Sequence, residues 1–137
     1  MTELQKVHFL NCKPILNVKD VAASLDYYCN RLGFTKIFSW SEEAGFCDYG
    51  KLNFAEVQRG SANIMMSLQQ EHADSARIYL DLDATTDLDL LYQEFKERGA
   101  FIVEPPDDKT WHMREMLVKD LDDNFLRIGA PIKHENA

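Results

Sequence analysis

The stretch Pro14-Ile15-Leu16-Asn17-Val18-Lys19-Asp20-Val21, running on through Ser24 and Tyr27-Tyr28 to Arg31-Leu32-Gly33-Phe34, decides how this chain is read. Its first part is extended. Asp20 then sits where a helix N-cap belongs, because a short carboxylate can accept the orphan amides of a first turn. Val21, Leu25, Tyr28, Cys29 and Leu32 recur at i, i+4, i+7, i+8 and i+11, which is one helical face. Gly33 follows, where the chain must turn through left-handed backbone.

The pattern occurs again downstream. Leu82-Asp83-Ala84, a helix, then Arg98-Gly99-Ala100 echoes Val18-Lys19-Asp20, a helix, then Leu32-Gly33-Phe34. In the second copy Leu88, Leu91, Tyr92 and Phe95 share a face, Thr86 is placed to cap and Gly99 to terminate. Asp20 and Asp83 are 63 positions apart and Gly33 and Gly99 are 66 apart, so the second helix is expected to be about one turn longer.

The remaining segments read as strands: Lys13–Val18, Thr35–Trp40, Gly45–Tyr49, Asn53–Gln58, Asn63–Leu68, Arg77–Leu82, Phe101–Glu104, Met113–Lys119 and Phe125–Gly129. Gly45–Tyr49 and Asn53–Gln58 are either two strands or one bent at Gly50. Arg59-Gly60-Ser61 and Asp120-Leu121-Asp122-Asp123-Asn124 are turns, and Pro105–Thr110 reads as a polar loop able to act as a flap. The expectation is an α+β fold. Two βαβββ modules, residues 11–70 and 75–132, would form an incompletely closed eight-stranded sheet or barrel around a cleft, with helices outside. The boundary falls at the polar connector Gln70–Ser75, and residues 1–137 make a single domain.

The 137 residues carry a net charge of −8, which argues against nucleic acid as a partner, since phosphate binding needs clustered cations. An acidic surface attracts cationic small molecules instead. Cys12, Cys29 and Cys47 have no CxxC spacing, which speaks against a disulfide framework or zinc ribbon; Cys29, on a helical apolar face, reads as core. Met1–Lys6 lacks the basic and apolar regions of a signal peptide, and no stretch reaches the ~20 apolar residues of a membrane span, so a cytoplasmic location is expected.

The opening stretch, with its "P-x-L-x-V-x-D", "S-x-x-Y-Y" and "LGF" parts, resembles the start of the glyoxalase / bleomycin-resistance / extradiol dioxygenase (vicinal oxygen chelate) superfamily. Trp111-His112-Met113-Arg114-Glu115 followed by Val118-Lys119-Asp120-Leu121-Asp122-Asp123-Asn124 is similar to the "W-G-M-R-E … V-x-D-P-D-G" hairpin of its bleomycin-resistance-like members. The likeness runs from about Asn11 to Ile132. His112 stands in place of Gly, Leu121 in place of Pro, and Asp123-Asn124 in place of Asp-Gly, with Asn124 read as the residue that tolerates left-handed geometry.

The resemblance implies four strand positions at which metal-dependent relatives chelate a divalent ion through His, Gln or Glu. Here they fall on Lys13, Met65, Arg77 and Arg127, three of them cations that repel such an ion. Of the histidines, His8 and His134 lie near the termini and His72 in the connector. His112 with Glu115 is a local pair that reads as a solvated strand-end His beside an unrelated acid. No GxGxxG, Walker loop, HExxH or GxSxG is present. No metal or other cofactor is therefore expected.

The resemblance implies a homodimer that sequesters a bleomycin-like drug in grooves built from both chains, an antibiotic-resistance role. Candidate ligand-binding residues are Phe38, Trp40 and Phe46 in the first half and Trp111, Met113 and Glu115 in the second; aromatics stack on flat ligands and Met adapts its shape. Core packing is the competing reading for Phe38 and Phe46. Met65, Lys13, Arg77 and Arg127 complete the set. If Arg77 and Arg127 point inward they must be paired, with Glu115 or Glu56, or bind an anion. Two other readings stand beside the drug binder. One is a glyoxalase-like lyase or dioxygenase with a displaced metal. The other is a binder or enzyme for an anionic metabolite held by Lys13, Arg77 and Arg127.

Overall fold

The computed structural model describes residues 7–69 and 74–133. Most of the connector, with His72 and His134, therefore lies outside the described residues, as does Met1–Lys6. In chain order the elements are β1 (Ile15–Val18), α1 (Val21–Asp26), a π-helical segment (Tyr27–Arg31), β2 (Thr35–Ser41), β3 (Gly45–Phe46), β4 (Phe54–Arg59) and β5 (Ala62–Leu68). Then come β6 (Arg77–Asp81), α2 (Leu88–Arg98), β7 (Phe101–Asp108), β8 (Met113–Lys119) and β9 (Phe125–Pro131).

Each half builds its own mixed sheet. The strand orders are β1-β5-β4-β2-β3 and β6-β9-β8-β7. Without β3 the two orders are the same, and in each the first and last strands pair in parallel, Ile15 with Met65 and Tyr79 with Arg127. The repeat read in the sequence is thus a repeat of topology. Among the described residues there are nine strands rather than eight, the additional one being the short β3. Gly45–Phe46 and Phe54–Arg59 do not form one bent strand: they flank β2 on opposite sides, Trp40 facing Phe46 on one and Phe54 on the other. Gly50, at φ +72, lies in the crossing between them.

Both helices start at an aspartate. Asp20 Oδ1 accepts the Ala23 amide, and Asp87, not Thr86, caps α2 by accepting the Asp89 amide. Asp83 instead closes a turn, accepting both the Thr85 amide and hydroxyl. That turn puts four more positions ahead of the second helix, and Leu32, which precedes Gly33, has no counterpart before Gly99, which leaves the second half three residues longer. The helix itself is no longer than its counterpart: α2 has 11 residues, matching the six of α1 followed by the five of the π segment. Gly99 at φ +78 and Gly33 at φ +75 end the helices. At both, an added Cβ would run into a guanidinium, Arg31 at Gly99 and Arg59 at Gly33.

Those guanidinia tie the halves together. Arg31 donates to Gly99 O (2.9 Å), and Arg98 reciprocally to Asn30 O (3.2 Å). Arg59 bonds Leu32 O and grips Glu94 at two points (2.7 and 2.9 Å). The Tyr27 hydroxyl donates to Lys119 O and receives the Phe101 amide, while its ring lies 5.2 Å from that of Phe101. The core is continuous across both halves, with Leu16, Val57, Ile64 and Met66 on one sheet, Met116, Val118, Leu126 and Ile128 on the other, and Tyr28, Leu32 and Phe95 between them. Cys29 packs at its edge. Side chains alternate on a strand, so each sheet also has an opposite, open face, and the candidate residues lie on these two open faces. Among the described residues no helix is long and apolar enough to cross a membrane.

The second-half hairpin corrects one residue. The left-handed position is Asp123 (φ +57), not Asn124. Asn124 is fully buried; its side chain accepts the Ala76 amide and donates to Asp120 and to Asn17 O. Buried Asp120 also takes the Tyr28 hydroxyl and the amides of Asp122 and Asn124. The "V-x-D" motif therefore serves as a structural clasp. His112 adopts φ +70, which explains why Gly suits that position. Pro105 to Asp108 are part of β7, which is longer than the sequence suggests, so the free loop shrinks to the turn before Met113.

Candidate functional site

On the first open face, alternate residues of β2 bring Phe38 and Trp40 together, and short β3 adds Phe46. Phe54, their cross-strand neighbour on β4, completes the wall. Phe38 stacks on Phe54 (centroids 6.1 Å apart, interplanar angle 17°) and meets Phe46 edge-on (5.7 Å, 83°). They border a groove of about 680 Å³, with Glu42, Asn53, Ser67 and Gln69 supplying its polar rim. Phe46 is 77 % exposed, which removes core packing as its role. The Asn53 side chain accepts the Glu42 amide (2.8 Å), fixing the turn that carries the carboxylate. Phe54, Glu42, Asn53 and Gln69 are additions to the sequence-based set. The signal for Phe54 was available: it sits two residues before Glu56, hence on the same face.

Deeper on this face, Glu56 is 98 % buried, since only 2 % of it is exposed. Lys13 (3.1 Å) and the Asn63 amide (2.7 Å) hold it. Burial pushes its carboxyl up, but these two partners outweigh burial and leave it below the usual carboxylate range. Met65 lies beside it in register.

The second open face carries Arg77, Tyr79, Trp111, Met113, Glu115 and Arg127. Glu115 is equally buried. Its Oε2 accepts the Tyr79 hydroxyl (2.6 Å) and the Trp111 indole N–H (3.0 Å). Burial raises its carboxyl, and these hydrogen bonds, with the charges of Arg127 and Lys109, more than reverse the effect. Tyr79 is shifted well upward by burial and by the Glu115 carboxylate. Gly129 makes room for this bond, since a Cβ there would collide with the Tyr79 hydroxyl. His112 is exposed, and none of these bonds to Glu115 comes from it. Arg127 lies 3.3 Å from Glu104 and 3.6 Å from Glu115. Arg77, Tyr79, Leu117, Phe125 and Arg127 line a cleft of about 270 Å³.

The candidates thus separate into two groups on different sheets. Lys13 belongs with Glu56 on the first, not with Arg77 and Arg127 on the second. The four positions implied for a metal do not fit one. They hold three cations and a thioether, Lys13 and Arg127 face carboxylates within the chain, and among the described residues no three His, Cys, Asp or Glu cluster as a ligand set.

A family model described as "Glyoxalase/Bleomycin resistance protein/Dioxygenase superfamily" matches residues 7–128. The chain belongs to this superfamily. Bleomycin resistance proteins of Geobacillus stearothermophilus and Staphylococcus aureus are each 28 % identical to it over 134 residues, covering 88 % of this chain and 96 % of theirs. In this superfamily, the bleomycin-binding protein of bleomycin-producing Streptomyces verticillus, solved with copper(II)-bleomycin, superposes with a TM-score of 0.69 at 26 % identity, covering 92 % of this chain and 99 % of its own. TioX from Micromonospora sp. ML1 shares the fold, with a TM-score of 0.72 at 19 % identity over 88 % and 97 % of the two chains.

Proposed function

We propose that this superfamily member is a metal-free small-molecule binding protein of the bleomycin-resistance type, working as a homodimer. In this reading the aromatic groove of the first sheet takes the flat part of the ligand. The observation that carries it is the constellation of Phe38, Trp40, Phe46 and Phe54 around about 680 Å³, the size of a drug-binding pocket. Phe46, so largely exposed, is an apolar surface that a ligand or a second chain would cover. Glu42 at the rim and the net charge of −8 suit a cationic ligand such as bleomycin. The relatives that bind or resist bleomycin support the same class. A lyase or dioxygenase reading is weaker, because the cations and the thioether at the implied positions do not suit a divalent ion.

The test is a titration of metal-free bleomycin into the Trp111→Phe variant, followed by tryptophan fluorescence. Trp40 is then the sole reporter, since the chain has two tryptophans. Saturable quenching in the micromolar range or tighter, lost or weakened about tenfold in Phe46→Ala, supports the assignment. A flat response sinks the drug reading. Sedimentation at twice the 15.8 kDa chain mass is expected from the homodimer.

A further inference from the structure

The cleft on the second sheet has a different chemistry from the aromatic groove. In the register of β6 with β9, Arg77 faces Phe125 and Tyr79 faces Arg127. Two cations therefore occupy one diagonal of a four-residue patch and two aromatic rings the other, with Leu117 beside Arg127 on β8. Diagonal neighbours of this kind lie within reach of one another's long side chains, roughly 7–8 Å apart at the backbone. The lining contains two guanidinia and no carboxylate.

Arg127 also keeps donor capacity. Two other arginines make short two-point bonds to a carboxylate: Arg59 to Glu94 at 2.7 and 2.9 Å, and Arg114 to Asp89 at 2.9 and 2.9 Å. Arg127 instead stands 3.3 Å from Glu104 and 3.6 Å from Glu115, too long for a saturated charge-assisted pair. Among the described residues Glu115 Oε1 is left as a buried acceptor without a hydrogen bond. The two glutamates hold the Arg127 side chain in place without using up its planar fork, and Arg77 on the neighbouring strand is exposed.

We propose that this cleft is a binding site for a small planar anion, of the aromatic carboxylate class. The carboxylate lies between the Arg77 and Arg127 guanidinia, which match its two oxygens. The ring lies against Tyr79, Phe125 and Leu117. The cleft's volume of about 270 Å³ admits one ring with one acid group rather than a drug-sized molecule. Lys13 takes no part, being held by Glu56 on the other sheet.

The experiment is a titration of benzoate into the full-length protein, read by the side-chain Nε–Hε resonances of the arginines, with benzamide and inorganic phosphate as comparison probes. The expected result is a saturable benzoate shift at Arg77 and Arg127, none with neutral benzamide, and weaker binding of phosphate. Arg77→Ala is expected to weaken benzoate about tenfold, the size of one lost hydrogen bond to a charged group. Arg77 is exposed, so this variant keeps the fold, which circular dichroism checks; Arg127→Gln, which strips buried Glu115 of its counter-charge, is read beside it. Benzamide binding as well as benzoate, phosphate matching benzoate, an unchanged affinity in Arg77→Ala, or no saturation would each overturn the proposal.

Discussion

At the residue scale, two glutamates and one glycine carry most of the site's architecture. Glu115 is ionised in a nearly dry position because Tyr79 and Trp111 aim their donors at it. The Tyr79 bond exists because residue 129 has no side chain. Gly129→Ala is expected to push the phenol aside and cost about 1–3 kcal/mol, seen as a lower urea midpoint with an unchanged slope. A wild-type midpoint would show that the Tyr79–Glu115 bond adds nothing to stability. His112 is strained in the opposite sense: at φ +70 it has a backbone that Gly adopts freely. His112→Gly is therefore expected to raise stability by roughly 0.5–1 kcal/mol, and a lower melting temperature would contradict this. The sequence showed His112 as a departure from a pattern. The dihedral angle gives the departure its physical meaning.

At the element scale, the helices are set by their caps and welded to each other by arginines. Asp20 and Asp87 each satisfy an orphan amide of a first turn. Replacing either by Ala is expected to cost about 1 kcal/mol by chemical denaturation; a change at Thr86 has no cap to remove. Thr86 was the natural choice from sequence because Thr and Asp are both good caps at adjacent positions, and only the turn closed by Asp83 decides between them. Strand existence was legible because hydrophobic alternation and turn residues mark it. Ends were less so: β7 runs on through Pro105 and Pro106, since an edge strand tolerates proline. The β3 and β4 partition around β2 is a pairing decision, invisible in local pattern.

At the scale of the whole molecule, acid should loosen the fold. The carboxyls of Glu56, Asp89, Glu94 and Glu115 lie below their ordinary values in the folded chain: at Glu56 and Glu115 burial is the largest single effect but the partners together outweigh it, and at Asp89 and Glu94 hydrogen bonds from arginine lead. Asp122, raised chiefly by burial, works the other way. A carboxyl depressed on folding adds stability above its unfolded value of about 4, and that stability is lost as pH falls through the folded value. Unfolding free energy is thus expected to be flat from neutrality to about pH 5 and to fall steeply below about pH 4. A stability that rises between pH 5 and 3 would mean that these four pairs do not govern it.

The chain by itself determined the repeat, the two helices, most strands and the presence of cations at three of the four implied metal positions, with Met65 at the other. Each of these rests on local chemistry, namely periodicity, caps, turns and the charge of a side chain at a known place. Tertiary structure decided which candidates share a surface. Phe38, Trp40 and Phe46 needed Phe54 from a strand 14 residues beyond Trp40 to form a wall. Lys13 was set beside Glu56 on the first sheet, apart from the sheet that holds Arg77 and Arg127, and Arg127 was given Glu104 as well as Glu115. The reason is that buried charge must find its partner in space, and distance along the chain says nothing about which carboxylate a sheet will set beside it.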